Sequence, residues 1–510
     1  MYIMNGVPLR ALVTIVTVLL TAPILARNAS KYHNPIIWLF HPDPTCTFVE
    51  ELDSTFFCTF SSFITFPGLQ IYASRDLWDN FIITTSNPYD SAAWSDPVHF
   101  DFPGIDPSPF WDDDGKTYLT GSFEGKTILQ APLDFETGEV LGPLVSIWNG
   151  TGLPSPEAPH VYKKDGWYYL LTAEGGTRER HRSNMARSRN LFGPYEGDPA
   201  NPILSVGHSD IFPDAQAVLT PVVWLSGAWP TYKYVSGTMT GGFALPMDLN
   251  PLTIPAGGEG GLSEADDKID FAPGSALTPH LFHWRLPVTK NYAISLENHT
   301  NSMMLRSSVL NLTSFDGDST RGLGQTFVAR CQSHTRFRFS VDVEGDGLLT
   351  REQNEVGVTV LQDQAQHFDL GVVMLKTNGS GDLAPHIRFR GICTTTYRLP
   401  ERFKYVDEVL PPPEGSMRQK VRLQVEAVNT THYAFSAGLG GCEEDTPMEI
   451  YGYTRGNYLI PYYSGVVVGA YATSNGKFGE GTFKTYVSRW RYRGLKQFVE
   501  DFTGEERFIL

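Results

Sequence analysis

The stretch Pro154–Thr177, PSPEAPHVYKKDGWYYLLTAEGGT, begins with an acidic residue, Glu157, followed by a strand pattern, a Lys-Asp-Gly turn and a second, aromatic strand pattern. The same arrangement occurs 51 residues earlier in DPSPFWDDDGKTYLTGS, which begins at Asp106. Alignment of the two Asp-Gly turns places Tyr169 on Tyr118 and Glu157 on Asp106. Repeats of roughly 50 residues with several strands each are typical of β-propeller blades.

Two looser copies flank these hairpins. DPTCTFVEELDSTFFCTF begins at Asp43, and GHSDIFPDAQ carries His208 near its start. The innermost strand of each propeller blade lines the central axis, so equivalent positions in successive blades converge. We therefore predict that Asp43, Asp106, Glu157 and His208 meet in one reactive centre. For any single one of these carboxylates, the alternative to a catalytic role is a structural role as a turn or cap residue.

The composition favours a neutral, polyhydroxylated ligand and disfavours a polyanion. The chain has 510 residues and a net charge of −16, which argues against nucleic acid and anionic membranes as partners. Aromatic residues make up 13% of the chain and charged residues 19%. This balance suits a sugar ligand, and it suits an all-β core equally well.

The N-terminus predicts a signal peptide over residues 1–26, with Arg10, an apolar run at Ala11–Leu25 and a cleavage site after Ala26. A membrane anchor is the alternative, but Pro23 and the short run disfavour it. We expect a secreted, extracellular glycoprotein, because six N-glycosylation sequons accompany the signal. They begin at Asn28, Asn149, Asn298, Asn311, Asn378 and Asn429.

Five cysteines leave at least one thiol unpaired within the chain. Cys46 and Cys58 lie on the two strand patterns of the first hairpin and could form a disulfide across it. The other three, Cys331, Cys393 and Cys442, lie far downstream. No Cys or His cluster has metal-ligand spacing, and we predict no metal site and no cofactor.

Strand patterns without strong helical periodicity predict an all-β chain in two domains. Residues 31–256 carry the repeat and are assigned to the propeller, and residues 257–273, rich in Gly and acidic residues, to a linker. Residues 274–501 carry further strands without the repeat, which favours a β-sandwich. These strands are TFVARC, RFRFSVDV, GVTVL, DLGVVML, KVRLQVEA, HYAFSA, GVVVGAYA and TFKTYVSRWRYRG.

Two acidic motifs resemble metal sites, and we interpret both as turns. Asp342–Gly347, DVEGDG, has the start of a calcium loop, but Gln353 occupies the twelfth position and the flanks are strands. A solvated turn is therefore favoured. Asp112–Asp114 precedes Gly115 between two strands, and a hairpin turn is favoured there.

Several convergent carboxylates suit glycosidic bond cleavage. One carboxylic acid must protonate the leaving oxygen, and one carboxylate must activate water or attack carbon. A third carboxylate nearby can raise the pKa of the acid by like-charge repulsion.

The motifs together resemble glycoside hydrolase family 43. They are HPDP, SSFITFPG, DPSPFWDDDGK, EAPHVY with YYLLTAEGGT, ARSRNLFGPYE and GHSDIF. The resemblance implies a five-bladed propeller and an inverting β-xylosidase or α-L-arabinofuranosidase that acts on plant cell-wall polysaccharide or oligosaccharide. TFVARCQSHT and SRWRYRG resemble the β-sandwich that follows the propeller in the fungal β-xylosidase branch.

The resemblance also implies roles for single residues. Asp43 matches the general base, Glu157 the general acid, and Asp106 the carboxylate that orients the acid and tunes its pKa. Phe63 matches an aromatic wall of the sugar pocket, and His208 the histidine of the central channel. The family allows calcium near that histidine, although we do not predict it here.

The chain departs from the family at three places. The acid motif usually reads EGPH, and Ala158 replaces the glycine here. A segment with a substrate-facing Trp is missing after Leu77, and one with a substrate-facing Arg is missing after Gln216. Blades two and five are therefore expected to be truncated, as if exons were lost or the enzyme had decayed.

Three functions stay open on the sequence alone. The favoured one is a secreted glycosidase that removes terminal β-xylosyl or α-L-arabinofuranosyl residues. The second is an inactive or carbohydrate-binding remnant of that family, and the third a structural protein that uses only the sandwich. The sequence does not choose between xylose and arabinofuranose.

Overall fold

The computed structural model divides the chain into two compact units. The first comprises Met1–Ser61, Tyr72–Gly258 and Asp501–Thr503, and the second Ser62–Ile71, Glu259–Glu500 and Gly504–Leu510. The structure describes residues 80–85, 87, 93–176, 180–204, 222–232 and, with gaps at 279, 285–286, 315–323, 345–348, 378–380, 394–404, 417–418, 442–445, 460–464 and 477–481, residues 266–500; it also describes short strands at 2–4, 30–33, 45–49, 55–59, 65–66, 209–210, 212–213, 238–241 and 506–508.

Seven short strands precede the first complete sheet. They are β1 (Tyr2–Met4), β2 (Ser30–His33), β3 (Thr45–Val49), β4 (Thr55–Thr59), β5 (Thr65–Phe66), β6 (Asn80–Thr85) and β7 (Val98–Phe100). Strand β6 pairs with β7 in antiparallel fashion and with β1 in parallel. Strands β3 and β4 form a hairpin in which Cys46 lies directly opposite Cys58, as a disulfide across this hairpin would require.

Two four-stranded antiparallel sheets form the centre of the first unit, and in each the strands are neighbours in chain order. The first contains β8 (Ile105–Trp111), β9 (Thr117–Phe123), β10 (Thr127–Pro132) and β11 (Val145–Trp148). The second contains β12 (Glu157–Lys164), β13 (Trp167–Glu174), β14 (Arg182–Ser188) and β15 (Glu196–Gly197). Each of the two full repeats predicted from the sequence thus begins a four-stranded sheet of its own.

The sheets stack face to face through an apolar core to which both contribute. Tyr118 on β9 faces the second sheet and packs in one core with Leu170. Tyr169, one residue along β13, faces away from the first sheet and packs on Trp224, with ring centroids 4.7 Å apart. The predicted equivalence of Tyr118 and Tyr169 is confirmed, since each faces the next element along the chain.

The predicted equivalence of Asp106 and Glu157 is wrong by one residue. In the first hairpin, Trp111 pairs with Thr117 and five residues lie between them. In the second hairpin, the equivalent pair is Lys163 and Tyr168, and only four residues lie between them. The register therefore matches Ile105 to Glu157 and Asp106 to Ala158. Both Asp106 and Ala158 adopt a positive φ, 54° and 48°, which supports this pairing.

Five more short strands follow in the first unit: β16 (Ser209–Asp210), β17 (Phe212–Pro213), β18 (Val222–Val223), β19 (Thr231–Tyr232) and β20 (Thr238–Gly241). They form two-stranded pieces, with β20 paired to β2. The described residues therefore contain two complete blade-like sheets and no closed ring of blades. The five-blade count stays a prediction.

The second unit is a β-sandwich, as predicted. One sheet has the order β23-β24-β35-β26-β31-β32-β33, with β21 also on β35, and the other has the order β25-β34-β27-β28-β29-β30. The first sheet contains β21 (Asp267–Ile269), β23 (Tyr292–Leu296), β24 (His299–Arg306), β26 (Arg336–Glu344), β31 (Lys420–Ala427), β32 (His432–Leu439), β33 (Met448–Arg455) and β35 (Lys484–Lys496). The second contains β25 (Thr326–Cys331), β27 (Glu355–Asp363), β28 (Gln366–Lys376), β29 (Leu383–Cys393), β30 (Tyr405–Leu410) and β34 (Val467–Thr473).

The remaining elements are short. Strand β22 (His283–Trp284) pairs with β5, β36 (Phe498–Glu500) pairs with β37 (Glu506–Phe508), and 3₁₀ helices cover Thr289–Asn291 and Gly456–Tyr458. Among the described residues, no helix is long and apolar enough to span a bilayer.

Alternating apolar residues of the two sheets form the sandwich core. Phe337, Phe339 and Val341 alternate along β26, and each is completely buried. They pack in one cluster with Val356 and Val358 of the opposite sheet. The apolar residues whose alternation predicted this strand are thus the residues that face the core.

Asp267, which the sequence placed in the linker, belongs to the sandwich, where Asp267–Ile269 pairs with β35. The buried carboxylate of Asp267 accepts hydrogen bonds from Trp490 Nε1 at 3.1 Å and pairs with Arg330 at 2.8 Å and His280 at 3.0 Å. Burial alone would raise the pKa of Asp267, but hydrogen bonding from His280 and the charge of Arg330 hold it below its usual range.

Two expectations for acidic motifs have different outcomes. Asp112–Gly115 forms the predicted hairpin turn, with Gly115 at a φ of 78° and its N–H donating to Asp112 O at 3.0 Å. Asp342 is not part of a solvated turn. Its carboxylate is completely buried and accepts hydrogen bonds from Arg422 at 2.7 and 3.2 Å.

Candidate active site

Asp106 and Glu157 are brought together where the first strands of the two blade-like sheets lie side by side. Strands β8 and β12 are neighbours, and both are bulged near their starts. The Oδ2 atom of Asp106 accepts a hydrogen bond from the backbone N–H of Ala158 at 3.0 Å. The Asp106 carboxylate is thereby held against the residue that follows Glu157.

Both residues of this contact, Asp106 and Ala158, have a left-handed backbone conformation. Aspartate and asparagine tolerate that conformation better than other residues with a Cβ atom, because their short side chains bond locally. Alanine has no such compensation, and glycine would adopt a φ of 48° without strain. The positive φ therefore explains why a glycine is expected at this position of the acid motif. Ala158 adopts the same backbone conformation at a cost in strain.

Glu157 lies in a largely desolvated place next to a histidine that the sequence reasoning missed. The side chain of Glu157 is 14% exposed and that of His181 is 11% exposed. His181 Nε2 lies 3.2 Å from Glu157 Oε1. His181 immediately precedes β14 and has no counterpart in the repeat, so no sequence pattern marked it.

A buried network fixes the segment that leads into Glu157. Glu174, at the end of β13, is completely buried. It accepts hydrogen bonds from Thr151 N at 2.8 Å, Thr151 Oγ1 at 2.7 Å and Trp148 Nε1 at 3.2 Å. Ser122 Oγ donates to Pro156 O at 2.7 Å. Together these bonds tie the connection before β12 to both sheets, and so position the acid.

The two hairpins are also joined at their far ends. Asp112 accepts hydrogen bonds from Lys163 Nζ and, at 2.7 Å, from Tyr168 OH. Burial alone would raise the pKa of Asp112, but the bonds from Lys163 and Tyr168 hold it below its usual range. The contacts at both ends of β8 and β12 hold these strands in a fixed relation.

The other predicted site residues, Asp43, Phe63 and His208, lie outside the described residues. Their roles stay predictions. In the described part of the chain, no group of three or more His, Cys, Asp or Glu side chains is arranged to hold a metal ion.

The arrangement provides acid chemistry in a shielded place. A carboxyl group beside an imidazole can donate or accept a proton, and a second carboxylate on the next strand can hold its backbone still. Glycosidic hydrolysis also needs a carboxylate that acts on the attacking water, whereas Asp106 is engaged with the Ala158 N–H.

Each of the two units contains a segment that matches a protein-family model. Residues 78–217 match the model of glycosyl hydrolases family 43, and residues 268–492 match the beta xylosidase C-terminal concanavalin A-like domain. The first match includes Asp106, Glu157 and His208, whereas Asp43 and Phe63 lie before it.

Several curated proteins are similar in sequence. A xylosidase/arabinosidase of Humicola insolens is 32% identical over 282 residues, which cover 40% of this chain and 50% of the relative. A xylosidase/arabinosidase of Butyrivibrio fibrisolvens is 32% identical, over 42% and 59% of the two chains. The matched part of this chain thus spans 50–59% of the length of these relatives. A non-reducing end alpha-L-arabinofuranosidase of Bacteroides ovatus is 25% identical, over 88% of this chain and 92% of the relative.

Solved structures support the fold over nearly the whole chain. The GH43B protein of a Bacteroides ovatus xyloglucan locus has a TM-score of 0.67 and 23% identity, and it matches 91% of this chain and all of its own. A Bacillus halodurans xylan beta-1,4-xylosidase has a TM-score of 0.67 and 20% identity, over 90% and 99% of the two chains.

Proposed function

This chain belongs to glycosyl hydrolases family 43, and we propose that it is a secreted glycosidase that removes terminal β-xylosyl or α-L-arabinofuranosyl residues with inversion. Its substrate is a plant cell-wall polysaccharide or an oligosaccharide derived from one. The single observation that carries the proposal is the contact between Asp106 Oδ2 and the Ala158 N–H beside Glu157. It supports the proposal because it brings Asp106 next to the residue that follows Glu157.

Each residue has a distinct role in the proposed mechanism. Glu157 protonates the departing oxygen as the general acid, and Asp43 deprotonates the attacking water as the general base. Asp106 orients the acid through the Ala158 N–H. Phe63 and His208 bind the sugar, and no cofactor takes part.

Because Glu157 is desolvated, proton transfer from it need not compete with bulk water. His181, 3.2 Å away, is placed to exchange a proton with Glu157 or to hold its carboxyl group in one orientation. In either role His181 would assist the acid step rather than the attack of water.

The proposed fold of the first unit is a five-bladed propeller with blades two and five truncated. The alignment with the Bacteroides ovatus arabinofuranosidase extends over 541 positions, yet it uses only 88% of this 510-residue chain. Roughly ninety positions of the relative therefore have no counterpart here. The same observation supports a second candidate, an inactive or carbohydrate-binding remnant.

Hydrolysis of an aryl β-xyloside and an aryl α-L-arabinofuranoside by the secreted protein tests the proposal. We expect the wild type to release the aryl group from at least one of them, and the ratio of the two rates assigns the sugar. The Glu157→Gln variant should lose this activity. Glu196→Gln is the matched control, since Glu196 lies on the same sheet with its side chain 59% exposed.

The anomer formed first, followed by proton NMR, tests inversion. The product of the β-xyloside should appear as the α-anomer before mutarotation. Absence of hydrolysis by folded protein that still binds xylo-oligosaccharides would favour the remnant. Absence of both hydrolysis and binding would overturn both candidates.

A further inference from the structure

An open cavity of about 600 Å³ lies on the sandwich, within the second unit. This volume is in the range of sites that bind small molecules. Four cationic side chains and one acidic side chain contribute to its lining, together with hydroxyl and amide groups. The charged lining residues are Lys268, Asp270, Lys420, Arg489 and Arg491.

The cationic groups are unexpected in a chain whose net charge is −16. The one acidic residue of the lining, Asp270, already pairs with Arg491 at 2.6 Å. Lys420 Nζ donates to Ser488 Oγ at 3.0 Å and has further donors available. Lys268 has no ion-pair partner among the described residues. Lys268 and Lys420 therefore bring positive charge to the cavity that no acidic side chain among the described residues pairs with.

Arg489, which lines the cavity, lies in a β-bulge of strand β35 and has a strained backbone. Along β26, Ser340 pairs with Arg491 and Asp342 with Ser488, so β35 has an extra residue between these pairs. This β-bulge places Arg489 at a φ of 51°, which is costly for an arginine. Bulges of this kind redirect a side chain and often lie next to functional sites.

Arg489 shares its one recorded ion-pair partner, Asp342, with Arg422. Asp342 accepts two hydrogen bonds from Arg422 and one from Gly441 N at 2.7 Å. Arg489 Nε is 3.6 Å from Asp342, beyond hydrogen-bond distance, and it is buried without a hydrogen bond in the described part of the chain. A strained, partly buried guanidinium with unused donors indicates a place for an anion.

We propose that this cavity binds a carboxylate-bearing sugar, a uronic acid unit of an acidic hemicellulose chain. Arg489, Lys268 and Lys420 hold the carboxylate, because guanidinium and ammonium groups are its preferred partners. Thr300, Asn301 and Ser488 supply the hydroxyl and amide contacts that sugar hydroxyls need. The choice of a polysaccharide ligand rests on the proposed function, whereas the anion site rests on the cavity itself.

Calorimetric titration of the full chain tests the assignment. The probe is a xylo-oligosaccharide that carries one glucuronic acid branch, and the comparison ligands are the unbranched oligosaccharide and inorganic phosphate. All proteins carry Glu157→Gln to prevent turnover and Asn298→Gln, because a glycan at that sequon would lie next to Thr300. We expect the acidic ligand to bind about tenfold more tightly than the neutral one, with an affinity that falls as salt rises.

Lys268→Glu should weaken the acidic ligand about tenfold and leave the neutral one unchanged. Lys484→Glu, an exposed change on the same strand as Arg489 but outside the cavity lining, is the matched control and should have no effect. Equal affinity for acidic and neutral ligands, or no response to Lys268→Glu, would overturn the proposal. Phosphate that displaces the acidic sugar at equal concentration would also overturn it, since the site would then recognise any anion.

Hydrolysis of aryl glycosides, measured separately on protein with Glu157 intact, distinguishes this proposal from the proposed function. If hydrolysis is absent while acidic sugar binds in a Lys268-dependent manner, only the glycosidase assignment fails. If hydrolysis is present without such binding, only the cavity assignment fails.

Discussion

Replacement of Asp106 by alanine should destabilise the start of β12 much more than replacement by asparagine. Two features of Asp106 distinguish the replacements, its hydrogen bond from Ala158 N at 3.0 Å and its left-handed φ of 54°. Asparagine retains a side-chain oxygen for the bond and tolerates the same backbone conformation. Alanine retains neither advantage.

The magnitudes follow from these two features. A hydrogen bond to a charged group is worth about 2 kcal/mol, and the left-handed conformation costs alanine about 1 kcal/mol. Asp106→Ala should therefore lower the free energy of unfolding by about 3 kcal/mol. Asp106→Asn exchanges a charged acceptor for a neutral one and should cost about 1 kcal/mol.

Amide hydrogen exchange over residues 154–162 is the most local assay, and denaturant unfolding supplies the total. In Asp106→Ala, the Ala158 N–H should exchange about thirtyfold faster, the equivalent of about 2 kcal/mol. Asp106→Asn should stay within about tenfold of wild type. Equal losses in the two variants, or unchanged exchange at Ala158, would refute the reasoning.

Three further predictions concern neighbouring features. Ala158→Gly should raise the free energy of unfolding by about 0.5 kcal/mol, because relief of the positive φ slightly exceeds the entropy cost of glycine; a loss of stability in denaturant unfolding would contradict this. His181→Gln should lower kcat about tenfold on substrates with a poor leaving group, and an unchanged kcat would remove His181 from the acid step. Asp267→Asn should destabilise the sandwich by about 3 kcal/mol at pH 7. The folded-state pKa of Asp267 is depressed, so its contribution is complete above about pH 4 and is lost as pH falls further; a variant with the same acid-induced loss in thermal melts as wild type would contradict the assignment.

The sequence predicts the β-class of both units well because alternation and repetition are local signals. Strands β25 and β31 have the predicted bounds, because β25 is a short apolar run and the apolar residues of β31 alternate with polar ones. Strand β33 escaped prediction, because partly exposed residues at the sheet edge blur the alternation along Met448–Arg455.

Register and long-range ion pairing could not be predicted in the same way. The one-residue difference between the hairpins lies in their turns, where alignment on Asp-Gly conceals it. The burial of Asp342, where a solvated turn was expected, could not be predicted because its partner, Arg422, is 80 residues away in sequence. His181 reaches Glu157 only through the packing of β14 on β13, which no pattern in the chain expresses.

The most direct test of the central claim, that Glu157 is the general acid, is the dependence of Glu157→Gln on leaving group. General acid catalysis contributes most when the leaving oxygen is strongly basic. We predict that kcat on an unactivated pentose disaccharide falls by about a thousandfold, while kcat on a dinitrophenyl glycoside of the same sugar falls less than about tenfold. Equal losses on the two substrates would show that Glu157 does not donate the proton and would contradict the account.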